Sequence, residues 1–76
     1  MPHVIVKLWP CPSEKQKAQL AARIVDDLVS TMATDERSVS VAIEEVTPPN
    51  WMKQVYWPDI EKNRDRLYKK PGYEPF

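Results

Sequence analysis

From the third residue onward, apolar and polar positions follow two different periods. His3 to Trp9 alternates: Val4, Val6 and Leu8 point one way, and Ile5, Lys7 and Trp9 the other, the period of two of a β-strand. Both sides are largely apolar, which predicts a strand covered on both faces. Pro10-Cys11-Pro12 ends it, because two prolines remove two ladder donors. Ser13-Glu14-Lys15-Gln16 then has the form of a capping box, in which Ser13 accepts from the Gln16 amide and Gln16 reaches back. Leu20, Ala21, Ile24, Leu28 and Met32 recur at spacings of three and four, predicting a helix over 14–32. Glu14, Lys15, Lys17, Arg23, Asp26 and Asp27 fall on its exposed side. After a polar connection over 33–37, the period returns to two. Val39, Val41 and Ile43 alternate with Ser40, Ala42 and Glu44, predicting a second strand over 38–46.

Strand, helix and strand in this order form a βαβ unit with parallel strands and a right-handed crossover. The pattern beyond is weaker. Thr47-Pro48-Pro49-Asn50 breaks the second strand, and Asn50 is placed to cap a short helical piece over 51–56. Trp57-Pro58 should interrupt it, since a residue before proline avoids the helical region. Pro58 suits the first turn of a further helix reaching about Tyr68. That helix has few apolar residues: Ile60, Leu67 and the Tyr68 ring. Lys70-Pro71-Gly72-Tyr73 reads as a turn, leaving the last residues to pair with a neighbour. The expectation is an α/β (α+β) fold: one domain over 1–76, made of a single βαβ unit and a C-terminal helical segment. One helix leaves one sheet face bare, with Ile5, Trp9, Ala42 and Trp51 as candidates for it. An uncovered apolar face marks an interface, so a homodimer is expected.

Composition narrows this further. A chain of 76 residues buries only about 60% of its unfolded surface and needs stapling or association. Cys11 is the only cysteine and His3 the only histidine, so neither a disulfide within the chain nor a Cys/His metal site is expected. No cofactor is implied. With 11 basic and 11 acidic residues there is no phosphate-binding footprint, and nucleic acid is not an expected partner. No apolar run reaches membrane length, and the start lacks the regions of a signal peptide. A cytoplasmic location and no membrane partner are the corresponding expectations.

The second residue is proline. A small second residue generally allows removal of the initiator methionine. The chain would then begin with Pro2 as a free secondary amine, fixed in place by the strand behind it. Such an amine is a good base. An ordinary α-amino group has a pKa of about 7.7–8.0, and an apolar site lowers that of an amine. A neutral amine near pH 7 could take a proton alpha to a carbonyl and return it elsewhere, which is keto–enol tautomerisation. Proline after methionine is also a common processing choice without any chemistry.

The stretches MPHVIVKLWP, PSEKQKAQLAARIVDDL, SVSVAIEEV, PPNW and KKPGY, in this order and spacing, resemble the 4-oxalocrotonate tautomerase superfamily over nearly the whole chain. The likeness is to its bacterial phenylpyruvate tautomerase (PptA-type) branch. The resemblance implies a βαβ unit that pairs into a dimer, with hexamers in some members. It implies that Pro2 is the catalytic base, that Trp51 lines the apolar side of the pocket, and that the Trp9 backbone amide and Ser38 lie at the site. The sequence departs from the family at two arginines that bind the substrate carboxylate. Cys11 and Pro12 stand at one position and Ser40 at the other. This argues against a dicarboxylate substrate and leaves desolvation by Trp9 and Trp51 to lower the amine pKa. Arg37, next in sequence, is a candidate replacement, and Ser40 a candidate ligand. The implied reaction is tautomerisation of small 2-keto acids such as phenylpyruvate. The alternatives are a non-catalytic oligomeric module of the same fold, or a sister hydratase, dehalogenase or decarboxylase.

Each of these residues has a plainer reading. Trp9 and Trp51 are common core or interface residues, Ser40 a small filler and Ser38 a strand start. Cys11 reads as an inert thiol and His3 as strand support or a solvent-facing side chain. Lys69-Lys70 reads as a solvated helix end, with a contact to a substrate carboxylate as the alternative. Glu44 and Glu45 are neighbours on a strand and point to opposite faces, which argues against joint acid–base work.

Overall fold

The computed structural model describes residues 1–76. Its contacts fall into two compact units, Met1–Glu45 and Val46–Phe76. The first contains strand β1 (His3–Leu8), helix α1 (Glu14–Met32) and strand β2 (Ser40–Glu45). The two strands pair in parallel, with His3 opposite Ser40, Ile5 opposite Ala42 and Leu8 opposite Glu45. This is the expected βαβ unit.

Helix α1 begins as its sequence requires. The Ser13 hydroxyl accepts from the Gln16 amide at 3.1 Å, and the Gln16 side chain accepts from the Ser13 amide at 2.8 Å. Two otherwise orphaned donors are satisfied reciprocally. The helix ends at Ala33, whose φ of 52° and ψ of 39° are left-handed. Glycine more often takes this terminating position.

Lys17 near the start of α1 reaches Glu45 on β2 at 3.2 Å, so α1 covers the sheet face carrying Val4, Val6, Leu8, Val41 and Ile43. The half-buried stripe of α1 is Lys17, Ala21, Ile24, Val25, Leu28 and Val29. Leu20 and Met32, expected in that stripe, are exposed. The stripe follows 17, 21, 24 and 28 and recruits the residues beside it at 25 and 29. The opposite sheet face carries His3, Ile5, Lys7, Ser40, Ala42 and Glu44. Ile5 there remains 51% exposed, so the expected two-sided cover of β1 is absent in the single chain. Glu44 and Glu45 do face opposite ways.

Strand β2 starts two residues later than expected. Glu36–Ser38 forms a 3₁₀ turn, because the Asp35 carboxylate accepts from the Arg37 amide at 3.0 Å and caps it. Ser38 therefore belongs to this turn and does not start the strand.

The second unit departs further from expectation. Its helix α2 (Pro48–Trp51) starts at the prolines, with Thr47 as N-cap. Prolines lack the N–H that a first turn would leave unpaired. Asn50 is thus inside the helix and is not its cap; its amide and side chain both bond back to Thr47. Trp57-Pro58 does not interrupt the helix. Met52–Ile60 continues as a π-helical segment with Pro58 inside it. In an α-helix the Pro58 ring would meet the carbonyl four residues back, and the wider turn removes that clash. The amide of Glu61, beyond the proline, is shared between the carbonyls of Tyr56 and Trp57. A 3₁₀ stretch, Glu61–Arg66, follows, broken at Asn63. The expected helix to Tyr68 therefore stops short. The Tyr68 ring is fully exposed, and Lys69-Lys70 lies outside any helix.

Candidate functional site

Residues at the head of the sheet are held by backbone pairing. The Ser40 amide donates to the Pro2 carbonyl at 3.2 Å, so pairing extends one residue ahead of β1. Pro2 is half-buried, whereas Met1 is 100% exposed. Removing Met1 would disturb no buried contact and would leave Pro2 anchored through its carbonyl. Next to it, His3 Nδ1 lies 2.6 Å from Ser40 Oγ. The register places both residues on the face away from α1, so this pair follows directly from the parallel ladder. Ser40 thus anchors Pro2 through its backbone and His3 through its side chain.

Ser38 and Arg37 sit in the adjoining turn. The Ser38 hydroxyl donates to the Asp35 carbonyl at 2.7 Å and lies 2.9 Å from the Thr34 hydroxyl, which must then be the donor. Arg37 is 91% exposed at its side chain and pairs with Asp35 at 3.2 Å. The Arg37 backbone amide, with its guanidinium second, holds the Asp35 carboxyl below its ordinary value. Trp9 lies just beyond the end of β1 and is 47% exposed. Cys11 is exposed as a free thiol. No group of three or more His, Cys, Asp or Glu side chains is placed to hold a metal.

Trp51 ends α2 in the second unit. Its indole N–H donates to the Tyr73 hydroxyl at 2.9 Å. The Tyr73 ring packs against Tyr56, with centroids 5.8 Å apart, and against Phe76 at 6.4 Å. Tyr56 is the most buried side chain of the chain, at 1% exposure. Its hydroxyl donates to Glu61 at 3.4 Å and accepts from Arg64 at 3.4 Å. Arg64 in turn bonds Glu61 at 2.7 Å. The bond to Glu61, with that to Tyr56, raises the Arg64 guanidinium above its ordinary value.

The sequence and its family resemblance point to Pro2, Trp9, Arg37, Ser38, Ser40 and Trp51 without showing the bonds that hold them. The His3 to Ser40 bond could have been read once the two strands were put in parallel register. From the sequence Tyr73 is only the end of a turn. Its signal was a proline-glycine turn delivering an aromatic residue to the end of the chain.

A family model described as "Tautomerase enzyme" matches residues 2–56. A protein of Xylella fastidiosa (strain 9a5c) named "Probable tautomerase" is 45% identical over 73 residues, covering 96% of this chain and 89% of its own. Tautomerase PptA of Cronobacter sakazakii (strain ATCC BAA-894) is 40% identical over 75 residues, covering 97% and 99%. Among solved structures, TomN is a 4-oxalocrotonate tautomerase homologue in the tomaymycin biosynthetic pathway. It superposes with a TM-score of 0.64 at 28% identity, over 66% of this chain and 77% of its own. No helix is long and apolar enough to cross a membrane. With a family match that begins at Pro2 and relatives alike over nearly the full length, this chain belongs to the tautomerase family of isomerases.

Proposed function

We propose that the chain interconverts keto and enol forms of small 2-keto acids such as phenylpyruvate, with the amine of Pro2 as general base once Met1 is removed. The observation that carries this is the contrast at the head of β1. Met1 is wholly exposed, while the Pro2 carbonyl is held by the Ser40 amide. An amine freed at Pro2 would stay where the ladder puts it, with no side-chain torsion left to order. It takes a proton from the carbon alpha to the ketone, so that a C–H bond breaks and an N–H bond forms. The protonated amine then gives that proton to the enolate oxygen, which restores the free base and releases the enol, and the reverse path restores the ketone. Trp51 supplies the apolar contact for the substrate side chain and Trp9 a backbone donor, as the family likeness implies. Ser38 and Arg37 are committed to the turn around Asp35, which makes them weaker candidates for substrate contact than Ser40.

The reading includes a homodimer. Only Val46, Val55 and Tyr56 are buried in the single chain, and Ile5 on the open sheet face is the natural contact for a second copy.

The test combines intact mass with an enol assay. The cellular protein should lack the mass of methionine and should accelerate ketonisation of enol phenylpyruvate. A form that retains Met1 should be inactive, because its Pro2 nitrogen is an amide. Equal activity with and without Met1 would remove the proposed base.

A further inference from the structure

Trp51 is held in a particular orientation, and the residue that holds it comes from the end of the chain. The indole N–H donates to the Tyr73 hydroxyl at 2.9 Å. Tyr73 is itself fixed: its ring lies 5.8 Å from that of Tyr56, and Tyr56 is 1% exposed. Tyr56 is tied at its hydroxyl to Glu61 and Arg64, which form an ion pair at 2.7 Å. The Phe76 ring also lies against Tyr73, with centroids 6.4 Å apart. A chain of contacts thus runs from the Glu61–Arg64 pair through Tyr56 and Tyr73 to the indole nitrogen.

This arrangement does more than bury surface. Tyr73 is 39% exposed, and Trp51 is only half-buried, so neither ring is locked by close packing alone. An indole has one donor, and giving it a fixed acceptor selects one orientation of the ring. A half-exposed tryptophan with its nitrogen tied down presents its apolar edge in a constant place. That is what recognition of a flat, apolar substituent needs, because ordering the ring is then not charged against binding.

We propose that Tyr73 is the positioning residue for Trp51 and, through it, sets the preference for substrates with an aromatic side chain. The inference rests on the reading of Trp51 as the apolar substrate contact. Tyr73 acts on the indole and not on the reacting atoms, so its removal changes affinity and leaves the proton transfer alone.

The experiment is a double-mutant cycle on the processed protein with Tyr73→Phe and Trp51→Phe. It is assayed with enol phenylpyruvate and with the enol of a small aliphatic 2-keto acid. Tyr73→Phe keeps the ring and removes only the acceptor. Loss of one such hydrogen bond should raise KM for enol phenylpyruvate about two- to tenfold, with kcat unchanged and KM for the aliphatic enol unchanged. In the Trp51→Phe background the same substitution should have no further effect. The Trp51 indole N–H resonance in a ¹H–¹⁵N spectrum should shift in Tyr73→Phe, which reports the lost bond independently of activity. If Trp51→Phe raises KM but Tyr73→Phe does not, the positioning role is overturned while Trp51 remains the contact. If Trp51→Phe itself leaves both KM values unchanged, the reading of Trp51 fails and this inference with it. An equal rise for both substrates, or a fall in kcat, would mark Tyr73 as a general structural support and overturn the proposal.

Discussion

No residue between Met1 and Glu45 is buried, whereas Val46, Val55 and Tyr56, the three that are, all belong to the Val46–Phe76 unit. The first unit has the regular elements: two paired strands and a capped helix. The second has a four-residue helix, a π-helical segment and a broken 3₁₀ stretch. Regular hydrogen bonding and deep burial therefore occur in different parts of this molecule. The βαβ unit meets its backbone needs locally but keeps Ile5 and Trp9 half-exposed. The second unit gives up regular backbone geometry and, in exchange, wraps aromatic rings around Tyr56.

The largest effect that tests this contrast lies at Tyr56. Tyr56→Ala should destabilise the protein by about 3–5 kcal/mol, the usual cost of emptying a buried aromatic site, measured by urea unfolding. A cost below about 1 kcal/mol, the range of ordinary surface changes, would show that the ring is not a core. Ile5 should behave differently. If a second copy covers the open face, Ile5→Asp should shift the protein from dimer to monomer in light scattering. It should also abolish the dependence of melting temperature on protein concentration that a dimer shows. A dimer of unchanged stability in Ile5→Asp would place the interface elsewhere.

The same contrast explains what could be read from the sequence. Helix α1 is bounded by Ser13 and Met32 as expected, because its cap and its three-and-four spacing are both encoded locally. The parallel pairing of β1 and β2 follows from alternation plus a connecting helix. The register then places His3 beside Ser40. The failures have physical causes too. Ser38 left the strand because Asp35 caps a turn there. Prolines 48 and 49 broke a strand, as read, but also opened a helix, since both roles use a missing N–H. Pro58 was read as a stop because a helix of ordinary width excludes it, and the wider π turn admits it. The three-and-four rule has no purchase on such a segment, so Val55 and Tyr56 gave no recognisable stripe. At the candidate site, the start of the chain suggests Pro2 and the family resemblance suggests Ser40 and Trp51, but the Trp51–Tyr73 bond joins positions far apart in sequence through irregular backbone. No period encodes it.

A smaller effect concerns the turn that precedes β2. Bonds from Arg37 hold the Asp35 carboxyl below its ordinary value of 3.8. A carboxyl lowered on folding stabilises the protein above its unfolded pKa, and that contribution disappears as pH falls through the lower folded value. Asp35→Asn should therefore lower stability modestly at neutral pH and flatten the acid limb, so that the two proteins converge as pH falls below about 4, the ordinary range of an aspartate. An unaltered acid limb would show that the Asp35 cap is not formed in solution.

In the proposed function, the ladder of the first unit holds the Pro2 amine in place as the general base. The most direct measurement is the ketonisation rate of enol phenylpyruvate by the processed protein and by Pro2→Ala, each with loss of Met1 checked by intact mass. Loss of a positioned general base predicts a fall of about 10²–10⁴ in kcat/KM, with the fold retained by circular dichroism. Equal rates in the two proteins would contradict the account.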